Sequence, residues 1–185
     1  MIRQATPADA TAISHLIISA MGPLAAKFAN SDDPAKQLEL FQHFAKLTGN
    51  QYSYTNILTW DEQGETCGMI MAYDGAKLEV LRRPFLNYTR TKLGFTGTPE
   101  DETQHGEYYI DCLAVLPGHQ GKGIAKKLFN ALFERAEELG HATVGLLVDK
   151  GNHKAKKLYT DLGFVEQGEK QLLGGTHYHL QKNLY

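Results

Sequence analysis

The spacing of hydrophobic residues changes from one segment of the chain to the next, which predicts alternating strands and helices. Residues 2–5 (Ile-Arg-Gln-Ala) predict a short first strand. Thr6 and Pro7 provide an N-cap and a first-turn proline for a helix. A second helix is predicted to begin at Asp33 and to end near Gly49. The predicted buried faces comprise Ile13, Leu16, Ile17 and Ala20 in the first helix and Leu38, Phe41 and Ala45 in the second.

The remaining predicted strands follow these two helices. A polar turn at residues 61–64 separates two alternating runs, as in a hairpin. Gly174 and Gly175 indicate a loop between two closing strands. In chain order, the predicted strands cover residues 52–60, 66–73, 108–115, 144–148, 164–166 and 176–180. An amphipathic helix follows residues 108–115, and its apolar face comprises Ile124, Leu128, Leu132 and Leu139.

Residues 75–105 are the least regular part of the sequence. Their first half predicts a helix interrupted at Pro84, because an interior proline removes one helical hydrogen bond and clashes with the preceding turn. Their second half predicts a loop. The charged residues Arg82, Arg83 and Arg90 fit a solvated helical surface.

Residues 120–125 (Gln-Gly-Lys-Gly-Ile-Ala), here called the glycine loop, join a predicted strand directly to the start of a helix. The first turn of a helix has free backbone N–H groups and partial positive charge, so it attracts anions. The loop is not a Walker A motif, because Gly123 stands where a serine or threonine is required after Lys122. It also lacks the spacing of a Rossmann fingerprint. A purely structural turn is the alternative.

A second motif follows the strand predicted over residues 144–148. It consists of Asn152, Ala155, the pair Leu158-Tyr159 and the pair Gly163-Phe164. The glycine loop fits the Gln/Arg-x-x-Gly-x-Gly/Ala signature of the GCN5-related N-acetyltransferases (GNAT), and the second motif is similar to their second cofactor motif. Two signatures in the correct order are more specific than either alone. The resemblance covers about residues 107–168.

The length and hydrophobic content favour a single domain over residues 1–185, with two small domains as the alternative that length alone allows, and the resemblance implies a mixed α/β fold. The expected central sheet is mostly antiparallel, is flanked by helices, and has its fourth and fifth strands splayed. The pantetheine arm of acetyl-CoA is expected to insert there, with a bulge on the fourth strand. The expected cofactor-binding residues are Leu113, Ala114, Val115, Gln120, Gly121, Lys122, Gly123, Ile124, Ala125, Asn152 and Tyr159. The segment over residues 75–105 is then either a substrate lid or a solvated excursion.

The resemblance also implies that the acceptor amine attacks the thioester directly. A primary amine has a pKa of about ten, so a base or a water relay has to remove its proton. Strict alternation would put Asp111 on one strand face with Glu107, Leu113 and Val115, and Cys112 on the other, unless a bulge changes the register. Asp111 is the first candidate base and Glu107 the second, with His105 as an assisting group. Either carboxylate could instead cap a turn or pair with a basic neighbour.

Tyr159 is the candidate acid for the departing thiolate of CoA. A thiol has a pKa of about 8.5, and a tyrosine hydroxyl can hydrogen-bond to the thiolate or protonate it. Asn152 lies seven residues earlier, so the two side chains are expected to face the same way on a helix. The resemblance assigns Asn152 to the cofactor arm and Tyr159 to the sulfur. A core role is the alternative for a tyrosine at this spacing.

Composition narrows the function classes. The chain has 185 residues, 42% of them hydrophobic, and a formal net charge of −2, which argues against a strongly basic nucleic-acid-binding surface. No membrane-spanning run or signal peptide is recognisable, so we expect a cytoplasmic protein. Cys67 and Cys112 are expected to be small buried side chains. His177 and His179 alternate on one strand without an identifiable ligand partner, so we expect no metal site.

The predicted function is therefore transfer of an acetyl group from acetyl-CoA to a primary amine of a small molecule or peptide. An acyl-CoA-binding regulatory module without acceptor turnover is the main alternative. A nucleotide-phosphate binder is a third reading, which the missing Walker serine disfavours. The expected partners are acetyl-CoA and an amine acceptor, and a homodimer is one arrangement that the sequence leaves open.

Overall fold

A single seven-stranded sheet runs through the computed structural model, which describes residues 1–185. The strands follow the order β1-β2-β3-β4-β5-β7-β6. Every neighbouring pair is antiparallel except β4 and β5, which are parallel. The strands are β1 (Ile2–Gln4), β2 (Ile57–Glu62), β3 (Glu65–Asp74), β4 (Tyr108–Val115), β5 (Thr143–Asp149), β6 (Val165–Leu172) and β7 (Gly175–Asn183). The predicted mixed, mostly antiparallel sheet is confirmed.

Six helices cover the two faces of this sheet: α1 (Ala10–Met21), α2 (Pro23–Ala29), α3 (Pro34–Ala45), α4 (Leu78–Leu93), α5 (Ile124–Glu138) and α6 (His153–Asp161). The first four helices pack on one face, in a core that includes Phe41 and Phe85. The last two pack on the other, in a core that includes Leu128 and Phe129. Short 3-10 turns precede α1, β2, α4 and α5.

The helices differ from the sequence prediction in several places. The separate helix α2 was not predicted. It begins at Pro23, after Gly22 turns the chain with a φ of +54°, a conformation that favours glycine. Pro84 does not interrupt α4. The carbonyl that loses its helical donor belongs to Val80, which is 63% exposed, so water can solvate it. The expected burial of Ala20 and Leu139 is also wrong, since both are exposed.

The central strands β4 and β5 pair over only three positions. Tyr108, Tyr109 and Ile110 pair with residues 144–146, whereas β4 pairs with β3 along its whole length. Beyond Ile110 the two parallel strands separate, which confirms the predicted splay. The β3–β4 register shifts at the same point, because Met71 pairs with Cys112 while the next residue pairs with Ile110. Asp111 is therefore the extra residue of a bulge on β4.

No single helix of the chain is long and apolar enough to span a membrane. Two consecutive helical segments, Pro7–Met21 and Pro23–Ala29, meet the length and composition criteria only together, and they are bent by 113°.

Candidate active site

A cleft of about 1240 Å³ opens where β4 and β5 separate. Its walls come from the end of β4, the glycine loop, α6, and segments of the first half of the chain. The cleft brings together most of the predicted site residues. Those that line it are Asp111, Leu113, Ala114, Val115, Gln120, Gly121, Gly123, Ile124, Ala125, Asn152 and Tyr159. Lys122 lies within the same loop with an exposed side chain. Glu107 is absent from the lining.

The bulge at Asp111 determines which way the β4 side chains point. Cys112 packs in the core beneath α1–α4, whereas Ile110, Leu113 and Val115 pack towards α5. Strict alternation predicted that Cys112 and Asp111 would face opposite ways, and this is wrong. The extra residue puts both on the α1–α4 side and moves Leu113 and Val115 to the other side. A bulge is the feature that was expected to change this register.

The glycine loop presents free backbone donors to the cleft. No backbone carbonyl accepts a hydrogen bond from the N–H groups of residues 121–126, and the first such bond of α5 runs from Lys127 to Gly123 O at 3.2 Å. Gly121 and Gly123 have φ angles of +78° and +76°, which side-chain-bearing residues rarely adopt. The glycines thus let the chain turn so that consecutive N–H groups remain free, which is an arrangement that binds anions.

The end of β4 also has peptide groups without a strand partner. Leu116 N donates to Cys67 O at 2.8 Å, so by alternation the peptide groups of Leu113 and Val115 point away from β3, towards the splay. The carbonyl of Val115 accepts a hydrogen bond from Gln120 Nε2 at 3.0 Å. Gln120 therefore ties the glycine loop to the strand. The peptide group of Leu113 has no such side-chain partner.

Asn152 and Tyr159 are at opposite ends of α6. Asn152 is the N-cap, and its Oδ1 accepts a hydrogen bond from Ala155 N at 3.1 Å. Tyr159 packs edge-on against Phe129, with ring centroids 5.8 Å apart. Burial raises the pKa of the Tyr159 hydroxyl to about 12, and the nearby Cys112 thiol contributes in the same direction. The phenol is therefore protonated at neutral pH.

Asp111 belongs to a group of polar side chains that the sequence did not predict. Gln51 Nε2 donates to Asp111 Oδ2 at 2.6 Å and to Glu102 Oε1 at 2.8 Å. The Tyr73 hydroxyl donates to Asp111 Oδ2 at 2.8 Å. Burial raises the pKa of Asp111, and burial together with the charge of Asp111 raises the pKa of Glu102 to about 8. Asp111 and Glu102 are below called the carboxyl pair.

Glu102 and Gln51 gave no usable signal in the sequence. Glu102 lies in the run Pro-Glu-Asp-Glu over residues 99–102, which is typical of a solvated loop. Gln51 lies between a helix and a strand, outside any motif. It is 51 residues away from Glu102 and 60 residues away from Asp111 along the chain. Only the fold brings the three side chains together at the bulge of β4.

Glu107 is fully buried away from the cleft. It accepts hydrogen bonds from Thr103 Oγ1 at 2.6 Å and Gln181 Nε2 at 2.7 Å, and it pairs with His179 Nε2 at 2.8 Å. These partners hold the pKa of Glu107 below its usual value although burial alone would raise it. The structure therefore gives Glu107 a role in joining β4 to β7, outside the cleft that Asp111 and Tyr159 line.

The histidines and cysteines occupy varied positions. His105 is exposed, His177 lines the cleft, and His179 has the carboxylate partner that the sequence did not reveal. Three possible metal-ligand atoms, from Glu62, Cys67 and His119, lie within 4.8 Å of one another. Burial raises the pKa of the Cys67 thiol, which donates to Glu65 O at 3.3 Å. Because the thiol is already bonded to the backbone and burial disfavours the thiolate that would bind a metal, we assign no metal to this group.

The sequence profile of the Acetyltransferase (GNAT) family matches residues 20–164. The chain belongs to this family. The match spans the glycine loop, the splayed strands and α6, and it confirms the predicted family. The acyl donor of the family is acetyl-CoA, in agreement with the predicted cofactor.

Individual relatives agree with this result. Mycothiol acetyltransferase from Gordonia bronchialis is 33% identical over 97 residues, which cover 52% of this chain and 27% of that protein. The match therefore spans about a quarter of that relative. A solved structure described as an acetyltransferase is 27% identical, covers 100% of both chains, and superposes with a TM-score of 0.83. The PaiA N-acetyltransferase from Thermoplasma acidophilum, solved in complex with coenzyme A, shares the fold at 12% identity, with a TM-score of 0.59 and coverage of 99% of this chain and 98% of that one.

Proposed function

We propose that the protein transfers the acetyl group of acetyl-CoA directly to the primary amine of a small molecule or a peptide. The observation that carries this proposal is the row of free backbone N–H groups over residues 121–126, which borders the same cleft as the separated ends of β4 and β5. The free N–H groups suit a diphosphate. The gap between the strands suits the narrow pantetheine arm, which can pair with strand peptide groups.

The proposed cofactor contacts follow from these two features. The peptide groups of Leu113 and Val115 bind the pantetheine arm as an additional strand would, and Ala114 holds them in that register. Asn152 faces the arm from the start of α6, with its Oδ1 already used as the N-cap. The proposed diphosphate-binding residues are Gln120, Gly121, Lys122, Gly123, Ile124 and Ala125.

The proposed reaction is a direct attack by the amine on the thioester. Asp111 accepts a proton from the bound amine, the amine nitrogen forms a bond to the acetyl carbonyl carbon, and the carbon–sulfur bond breaks. Tyr159 donates a hydrogen bond to the sulfur as negative charge develops there. A phenol with a pKa of about 12 is a weaker acid than the thiol of CoA, whose pKa is about 8.5. Hydrogen bonding therefore contributes more than complete proton transfer. Glu107 has no part in this proposal.

Two measurements test the proposal. Calorimetry with acetyl-CoA tests the cofactor site, and release of free thiol tests turnover. The acceptor panel contains alkyl amines, polyamines, amino acids and peptides, with a control that lacks acceptor. We expect binding of acetyl-CoA and acceptor-dependent release of CoA. If acetyl-CoA binds but no acceptor of the panel causes release of CoA, the proposed enzymatic activity would be contradicted. That result would favour a regulatory module that senses acyl-CoA. A comparable affinity for ATP would contradict selectivity for CoA.

A further inference from the structure

The carboxyl pair is enclosed without a cation of its own. Neither Asp111 nor Glu102 forms an ion pair, and both line the cleft. The nearest positive charge is Arg82 of α4, which lowers the pKa of Glu102 less than burial raises it. Its guanidinium is already bonded to Asp101 Oδ1 and to Glu100 O. Two carboxylates held by one amide and lacking a counter-ion form a strongly cation-attracting site.

The other titratable groups around the pair are neutral at neutral pH. They come from every element packed against it: Tyr52 precedes β2, Tyr73 lies on β3, and Tyr109 and Cys112 lie on β4. Burial raises the pKa of each of these groups well above its ordinary value, and the negative charge of Asp111 contributes in every case. Arg82 is the one charged neighbour. Glu102, with a pKa of about 8, is therefore the group of this cluster that exchanges a proton near neutrality.

We propose that Glu102 and Asp111 share one proton and together bind the acceptor as its ammonium cation, then remove its proton. This inference rests on the proposed function and deepens it by naming the acceptor class, which is an aliphatic primary amine that is protonated in solution. Gln51 is a positioning residue in this arrangement, since its Nε2 contacts both carboxylates.

The proton balance of the proposed step is complete. The singly protonated pair carries one negative charge and neutralises one ammonium group. Transfer of one ammonium proton to the pair leaves a neutral amine, which attacks the thioester carbon. As the carbon–sulfur bond breaks, the attacking nitrogen loses its second proton and the departing thiolate takes up one proton, so that the products are the acetylated amine and the free thiol of CoA. The pair then returns the first proton to water.

The observed geometry explains why two carboxyl groups serve better than one. A single buried carboxylate with an ordinary pKa would be a weak base towards an ammonium group whose pKa is about ten. Burial raises the proton affinity of both carboxyl groups, and the negative charge of Asp111 raises that of Glu102 further. The pair therefore combines negative charge for binding with enough basicity for deprotonation.

The decisive experiment compares two acceptors of matched shape. The first is the aliphatic primary amine that the wild-type protein acetylates best, and the second is its β,β-difluoro analogue, whose pKa the fluorine atoms lower to near neutrality. At about pH 8 the parent amine is therefore mostly protonated and the analogue mostly neutral. The variants are Glu102→Gln and Asp111→Asn. The control is Glu79→Gln, an exposed acidic residue on α4 that pairs with Arg83 outside the cleft. Circular dichroism confirms that each variant is folded.

We expect kcat/KM for the protonated amine to fall by ~100-fold or more in both variants, and that for the neutral analogue to fall by about tenfold or less. Equal losses with the two amines, or no loss with either, would overturn the inference while leaving the acetyltransferase intact. The inference would also be overturned if the wild-type protein acetylated aromatic amines and no aliphatic amine. Absence of turnover with every amine would instead count against the proposed function. Carbon-13 NMR of labelled carboxyl groups provides an independent measurement, because a group titrating at about pH 8 should disappear in Glu102→Gln.

Discussion

Tyr73 on β3 donates a hydrogen bond to Asp111 Oδ2 on β4 at 2.8 Å, beside the position where the register of the two strands shifts. Asp111 is the extra residue that causes the shift. In a regular ladder it could not lie on the same side as Cys112. The same residue turns Leu113 towards the α5 side, where β4 separates from β5. The bulge thus places the Asp111 carboxylate at the cleft. It also sets the orientation of the end of β4, which the cofactor is proposed to contact.

The first prediction concerns the glycine loop. Gly123→Ala should weaken binding of acetyl-CoA by about tenfold, because a side chain at a φ of +76° costs about 1–2 kcal/mol and shifts the free N–H groups. A Cβ would meet no atom within 4 Å, so the cause is backbone conformation and not a clash within the protein. Isothermal calorimetry measures the change.

Gly118→Ala is the matched control for this prediction. Gly118 lies in the same connection, a Cβ added there would enter open space, and its backbone lacks the positive φ of Gly123. The affinity of this variant for acetyl-CoA should therefore stay within about twofold of the wild type. Equal effects of the two substitutions would argue that the loop conformation does not determine binding.

The second prediction concerns Tyr159. Tyr159→Phe should lower kcat by roughly 10- to 100-fold and leave the affinity for acetyl-CoA nearly unchanged, because the hydroxyl acts mainly on the departing sulfur. Since the pKa of the phenol is about 12, its titration should not contribute to the activity profile between about pH 6 and pH 10. Tyr178→Phe, which alters a tyrosine outside the cleft, is the control. Full activity of Tyr159→Phe would remove the assigned role.

The residues of the proposed cofactor half of the site could be nominated from the sequence because the patterns that mark them are local. The glycine loop depends on two positive φ angles and a helix start, which neighbouring residues specify. Tyr159 and Asn152 lie on one short helix, although Asn152 proved to be its N-cap, so the helical-spacing argument applies to it only approximately. Local patterns of this kind can be recognised without knowledge of the tertiary structure.

The proposed acceptor half could not be predicted because its residues meet only through the fold. Gln51, Tyr73 and Glu102 come from a connection, a strand and a loop, and no periodicity links them. Glu107 is also a carboxylate and lies only four positions before Asp111. Its partner His179 lies 72 residues away on β7, and this pairing decides its structural role. In addition, the bulge at Asp111 places the side chains that follow it on β4 on the opposite faces of the sheet from those that strict alternation predicts.

The third prediction links Glu102 to the pH dependence of stability. Its pKa in the folded protein is about 8 against an ordinary value of 4.5, so the unfolded chain releases this proton first as pH rises. The wild type should therefore lose stability between about pH 4.5 and pH 8. The Glu102→Gln variant has no carboxyl group to titrate at this position, so its stability should not decrease in this way over the same pH range.

Urea unfolding at pH 5 and pH 9 tests this prediction. The free energy of unfolding of Glu102→Gln relative to the wild type should rise between the two pH values by on the order of 1–3 kcal/mol. Glu79→Gln, whose carboxylate is exposed, should show no such change. A constant difference between Glu102→Gln and the wild type would show that Glu102 is ionised with an ordinary pKa.

The last prediction tests the structural role of Glu107. A Cβ at Gly145 on β5 would overlap the Glu107 carboxylate, which is fully buried and held by Thr103, His179 and Gln181. Gly145→Ala should therefore destabilise the protein by about 2–4 kcal/mol, measured by urea unfolding. Glu107→Asp shortens the side chain, so the double variant should lose less than the two single variants together. Strictly additive losses would contradict direct contact between Gly145 and Glu107 as the reason that β5 carries a glycine there.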